Sequence, residues 1–186
     1  MLVLQSADAD ETRAELVAAG LEPRPVFTFE RDAKQPDGTV ARVGFSLVFV
    51  DLPGAANCAF LTCAQWRPDL FWKPDYQAHP NGAGTIRLVT LEAPQPAPVA
   101  DFLGRFAGAG ARKRGSGFVV DTPRGRIEVR EGGSEPGFVR YVIETDDLEA
   151  VRAAAGSAGI PFRETRHGLE FGASVMYGVT VGFVAA

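Results

Sequence analysis

The feature that most constrains this chain is an internal repeat. The stretch LVLQSADADETRAELVAAGL, residues 2–21, aligns without a gap with YVIETDDLEAVRAAAGSAGI, residues 141–160, at an offset of 139 that pairs Val3 with Val142, Arg13 with Arg152 and Gly20 with Gly159. Each copy reads as a short apolar strand, an acidic cap and an alanine-rich helix that stops at glycine. Asp8 with Glu11, and Asp146 with Glu149, have capping-box spacing, which satisfies free N–H groups at a helix start. Gly20 and Gly159 stand where a helix turns into a left-handed cap. A weaker third copy, LVTLEAPQPAPVADFLGRFAG, covers residues 88–108. Its Pro94, Pro96 and Pro98 suit a loop and a first helical turn.

Strand-like segments follow each helix, separated by turn chemistry at QPDGT, PGAAN and TPRG. The recurring unit is therefore strand, helix, then two or three antiparallel strands, repeated about three times. Such a unit cannot cover its own sheet and needs a neighbour. The expected class is α+β with curved antiparallel or mixed sheets. EGGSEPG, residues 131–137, reads as a flexible connector between the second and third units.

Residues 60–83, FLTCAQWRPDLFWKPDYQAHPNGA, and their spacing to IRLVTLEAP resemble the vicinal oxygen chelate superfamily, which includes glyoxalase I, extradiol dioxygenases and bleomycin-resistance proteins. Trp72, Pro74, His79, Asn81 and Gly82 look like the bacterial glyoxalase-like branch. The resemblance implies tandem βαβββ modules, with a first module at 1–66, a linker at 67–83 and paired second and third modules at 84–186. Members usually carry four modules as two pairs, so this chain looks like the last three, with the question of an upstream module left open. In metal-dependent members each module of a pair gives a histidine from its first strand and a glutamate from its last. Here those positions fall on Met1, Leu88 and Arg140, and on Gly182, with Glu128 the one carboxylate close to an expected ligand position. The resemblance thus implies neither a catalytic metal nor another cofactor, and leaves catalytic residues unassigned.

The candidate ligand-binding residues are Trp72, Tyr76, His79, Asn81 and Arg140. His79 can serve as a base or donor in an aromatic-lined apolar pocket, or the linker can be an ordered strap in which the same residues tie down loop backbone. Arg140 can fork onto a carboxylate, or form a surface ion pair with Glu144 or Asp121. His167 reads as a turn residue. Cys58 and Cys63, on one expected strand with side chains to opposite faces, read as reduced thiols of a cytoplasmic protein.

Charge and hydropathy remove other classes. A net charge of -4 and a single short basic cluster, ARKRG at 111–115, argue against nucleic acid. VGFSLVFV at 43–50 is too short to span a membrane. No phosphate-cradling glycine motif or nucleophile elbow occurs. The expectation is a glyoxalase-like binder of a small molecule, with an anion the ligand that Arg140 would suit. Two alternatives stay open: a metal-dependent lyase, isomerase or dioxygenase of the superfamily, and a non-catalytic sequestering dimer. An unpaired first module further predicts a homodimer burying upwards of roughly 1,500 Å², with residues 45–50 and 59–63 near its centre.

Overall fold

A computed structural model describes all 186 residues. In chain order the elements are β1 (Leu2–Ser6), α1 (Ala9–Ala18), β2 (Phe27–Lys34), β3 (Val40–Val50), β4 (Phe60–Gln65), a 3-10 turn (Pro68–Leu70), α2 (Pro74–Gln77), β5 (Ala83–Ala93), α3 (Pro96–Phe106), β6 (Ala111–Arg114), β7 (Gly117–Thr122), β8 (Gly125–Glu131), β9 (Gly137–Thr145), α4 (Leu148–Ser157), β10 (Arg163–Thr165), β11 (Gly168–Phe171) and β12 (Thr180–Ala185). The fold is mixed α+β. It has two curved, unclosed sheets and few helices, as the repeat predicts.

The smaller sheet runs β1-β4-β3-β2 and the larger β10-β11-β12-β9-β5-β8-β7-β6. In the smaller, β1 lies parallel to β4 while the other neighbours are antiparallel. The larger sheet contains the same connectivity twice: β5 parallel to β8, and β9 parallel to β12. Its halves meet where β5 and β9 run antiparallel, with Leu88 opposite Val142 and Thr90 opposite Arg140.

The helix boundaries follow from caps. Asp8 Oδ1 accepts from the N–H groups of Asp10 and Glu11, each at 2.9 Å. At α4 the cap is Asp147, whose Oδ1 accepts from Ala150 N at 2.8 Å, one residue beyond the expected Asp146. Thr145 explains the shift, because its hydroxyl holds the Asp147 N–H at 3.1 Å and so fixes that residue at the helix entrance. Pro96 opens α3, where its missing N–H is free of cost. Gly20, Gly108 and Gly159 close α1, α3 and α4 with φ of 76, 62 and 66°, a conformation that only glycine adopts readily.

Strand alternation gives each sheet a helix-bearing face and an open face. The helix-bearing faces of the two sheets meet in one core of 19 buried residues that includes Val48 and Phe60 from the first sheet with Leu16 from α1, and Leu91 and Val129 from the second with Phe102 from α3. Phe60 sits at its centre, with ring centroids 5.1 Å from Phe102, 6.0 Å from Phe106 and 5.7 Å from Phe138. A smaller core under α4 joins Val151, Phe171, Val181 and Phe183. Cys58 precedes β4 rather than lying on it, and its thiol contacts the Pro136 carbonyl at 3.4 Å. With Asn57 donating to Glu135 at 2.7 Å, that contact ties the 131–137 connector to the first sheet. Both cysteines are free, and burial pushes both thiols up. No helix is long and apolar enough to cross a membrane.

Candidate functional site

The open face of the larger sheet is where chemistry-bearing side chains converge. Register places Thr90, Arg140, Glu128 and Thr180 side by side across β5, β9, β8 and β12: Thr90 faces Arg140 and Glu128, and Arg140 faces Thr180. Glu170 on β11 completes the group, its Oε2 lying 3.3 Å from Arg140 Nη2. Glu144 pairs with Arg87, and Asp121 with Arg112 and Arg126, so the ion pair expected between Arg140 and Glu144 or Asp121 is replaced by one with Glu170. The reason is geometric. Glu144 lies four residues along the same strand from Arg140, whereas Glu170 sits two strands away at nearly the same level.

Three carboxylates on this face each hold two arginines. Asp121 holds Arg112 and Arg126, Glu128 holds Arg114 and Arg130, and Glu170 holds Arg140 and Arg163. With the Arg87–Glu144 pair and Glu92, which lies opposite Arg130, seven arginines meet five carboxylates, an excess of two positive charges. The expected apolar, aromatic-lined cleft is therefore not found here. This face is charged because Arg126, Glu128 and Arg130 of GRIEVRE alternate with Ile127 and Val129, which fill the core, while Arg140 and Glu144 of β9 and Arg112 and Arg114 of β6 add to the same side.

Two atoms in the group lack partners. Arg140 Nε and Thr90 Oγ1 are buried and make no hydrogen bond, although the two residues face each other. Buried polar groups are normally satisfied, so a pair of adjacent orphans marks a place where a bound group can complete the hydrogen bonding. Gly182 lies beside the guanidinium: a Cβ there would touch Arg140 Nη2 at an ordinary 3.4 Å and press more closely on Val142 Cγ2 at 3.2 Å.

These residues do not fit a divalent metal ion. Nowhere does the chain bring three or more His, Cys, Asp or Glu side chains together as a ligand set. A guanidinium has no lone pair to give, and Glu128 is already held between two arginines.

The linker residues sit elsewhere. The Tyr76 hydroxyl donates to the Lys34 carbonyl at 3.0 Å, and Phe71 packs edge-on against Phe45 at 5.0 Å, so the linker lies on the first sheet. Trp72, Tyr76 and His79 are exposed. The Asn81 side chain accepts from Ala83 N at 3.2 Å, and its carbonyl accepts from Thr145 Oγ1 at 2.8 Å. Thr145 is five residues along β9 from Arg140, about 16 Å at strand rise. Sequence reasoning found Arg140 and Glu128 but missed Thr90 and Glu170. Thr90 carried a signal, being a lone polar residue at the centre of an apolar strand run. A separate cleft of about 370 Å³ lies at the start of α1, lined by Asp8, Thr28, Ser46 and Trp66 among others, where Trp66 Nε1 donates to Ser46 at 2.9 Å.

No family model matches the chain, and no curated protein is significantly similar to it. Among solved structures, a hypothetical protein from Staphylococcus aureus matches with a TM-score of 0.66 at 9% identity, over 99% of this chain and 65% of that one. The chain thus spans about two thirds of that neighbour's length, and the likeness is one of fold. Methylmalonyl-CoA epimerase from Mycobacterium tuberculosis matches with a TM-score of 0.46 at 10% identity, over 61% of this chain and 95% of the epimerase.

Proposed function

We propose that this chain is a glyoxalase-like protein of the vicinal oxygen chelate superfamily that binds a small anionic molecule, without a catalytic metal, on the open face of its larger sheet. Three βαβββ modules, at 1–66 and, paired, within 84–186, account for the strand orders. The module resemblance in the sequence supports the same reading. The observation that carries the ligand class is the orphan pair, Arg140 Nε and Thr90 Oγ1, on a face with surplus positive charge. A carboxylate accepting from both would satisfy two buried donors at once, and charge-assisted bonds of this kind are the strong ones. Tyr76 is assigned to holding the linker on the first sheet and Asn81 to joining its end to β9, while exposed Trp72 and His79 are given no part in the site. Reduced Cys58 and Cys63 agree with a cytoplasmic setting.

Thermal shift with matched small carboxylates and their amides tests the reading. A carboxylate at 100 times its dissociation constant adds about 2.7 kcal/mol of stability, and the amide adds none. Arg140→Lys should weaken the preference by removing the fork. His79→Ala should leave binding intact and stability within about 0.5 kcal/mol. Equal shifts from acid and amide would remove Arg140 from the site, and loss of binding in His79→Ala would return the linker to it. A stoichiometric divalent ion in purified protein would favour the metal-dependent alternative.

A further inference from the structure

On the helix-bearing side of the smaller sheet, the row of residues next to the start of α1 is built from small side chains. Ser6, Ala64, Ser46 and Thr28 stand side by side across β1, β4, β3 and β2. In the neighbouring row on that side, Leu4 and Val48 pack into the core that Leu16 of α1 enters. The small row leaves a gap instead. This is the cleft of about 370 Å³, whose walls include the first residues of α1 and the Trp66 indole. Its volume lies at the low end for small-molecule sites.

Trp66 forms a fixed wall. Its backbone N–H continues the ladder to the Gly44 carbonyl at 3.0 Å, and its indole Nε1 donates to Ser46 Oγ at 2.9 Å. The ring lies on Gly44, where a Cβ would come within 2.4 Å of Trp66 Cε3 and 2.7 Å of Cδ2. Any side chain at 44 would displace it. Although held in this way, Trp66 keeps 49% of its surface exposed. A ring already immobilised loses little further freedom when a ligand settles on it.

The charge around that ring is negative. Asp8 and Asp10 line the cleft, and no lysine, arginine or histidine does. The first amides of α1 do not call for an anion, because Asp8 Oδ1 already accepts from the N–H groups of Asp10 and Glu11. Strand alternation puts Glu30 and Asp32 on the same side of β2 as Thr28, with Glu30 opposite Gly44. Arg42 lies between those two carboxylates. One guanidinium thus stands against four carboxylates.

We propose that this cleft binds a small organic ammonium ion, its cationic head against the Trp66 ring and facing the Asp8 and Asp10 carboxylates. Tryptophan is the best aromatic partner for a cation. A bare metal ion fits less well, since it needs more oxygen ligands than the two carboxylates supply. The proposal concerns the other sheet and a ligand of opposite charge, so it stands apart from the carboxylate reading.

Calorimetric titration of the full chain tests it, using choline chloride and the uncharged carbon analogue of choline in which a tert-butyl group replaces the trimethylammonium. Choline should saturate the protein below about 10 mM, and the analogue should give no isotherm. Asp8→Asn combined with Asp10→Asn removes the charge, while asparagine keeps the helix cap. Helix content by circular dichroism should then hold, and choline affinity should fall about tenfold. Trp66→Leu should weaken choline on the order of tenfold, and Trp66→Phe, which keeps a ring on Gly44, by less. Choline that fails to saturate, an analogue that binds equally well, or an asparagine double variant that binds choline like the wild type would overturn the proposal.

Discussion

The two open faces belong to sheets of the same connectivity and have opposite chemistry. On the smaller sheet, Phe27, Phe29, Phe45 and Leu47 make an aromatic and aliphatic surface. On the larger, paired arginines and carboxylates surround Arg140. Connectivity decides which residues share a face, and the residues alone decide what the face can do. The difference also tracks the seam. The charged face flanks a seam already closed by β5 and β9, and ion pairs meet water without penalty. The apolar face belongs to the sheet whose β1 edge has no neighbouring strand.

The largest effect expected from breaking this arrangement lies behind the faces, in the core that both sheets share. Phe60 is 1% exposed and touches Phe102, Phe106 and Phe138 across the junction. Phe60→Ala should cost about 3–5 kcal/mol and lower one cooperative melting transition. Two separate transitions in the wild type would break the view that the sheets are held by one core. A smaller effect of opposite sign is expected on the charged face. Thr90→Val keeps the shape and deletes a buried hydroxyl that has no partner, so stability should rise by on the order of 1 kcal/mol while carboxylate binding weakens. A loss of stability would mean that the hydroxyl is already satisfied, and would remove the argument for a ligand there.

Much of the fold was legible because its signals are local. The repeat, the Asp8 cap and the glycines at 20 and 159 act within a few residues of each other, so the sequence displays them directly. Asp147 displaced Asp146 because Thr145 holds the helix entrance, a contact set by the end of β9 and not by the spacing that defines a capping box. The site was legible only in part. Arg140 stood out as a cation where the resemblance expects a ligand, but its partner Glu170 is thirty residues away, on a strand whose level relative to β9 is fixed only through β12. The aromatic linker looked like a pocket because tryptophan, tyrosine and histidine in a loop suit ligand binding and sheet covering equally well. The Tyr76 and Phe71 contacts favour sheet covering.

The smallest expected effect concerns the ion pairs that surround the site, and it sharpens what keeps the charged face open. Hydrogen bonds from Arg112 and then Arg126 hold the Asp121 carboxyl below the ordinary carboxylate range. A folded-state value that lies below the unfolded one contributes stability in full above the unfolded value, near pH 4. That contribution is lost as pH falls through the depressed folded value. Asp121→Asn should therefore melt below the wild type at neutral pH, and the gap should close as the solution is acidified. Because the carboxylate is solvent-exposed, the gap should also shrink from low salt to about 1 M salt, where the Debye length is about 3 Å. Melting curves of the two proteins across pH 2–7 read this directly. Curves that stay parallel to the acid end would mean that the charge on Asp121 adds nothing to the fold.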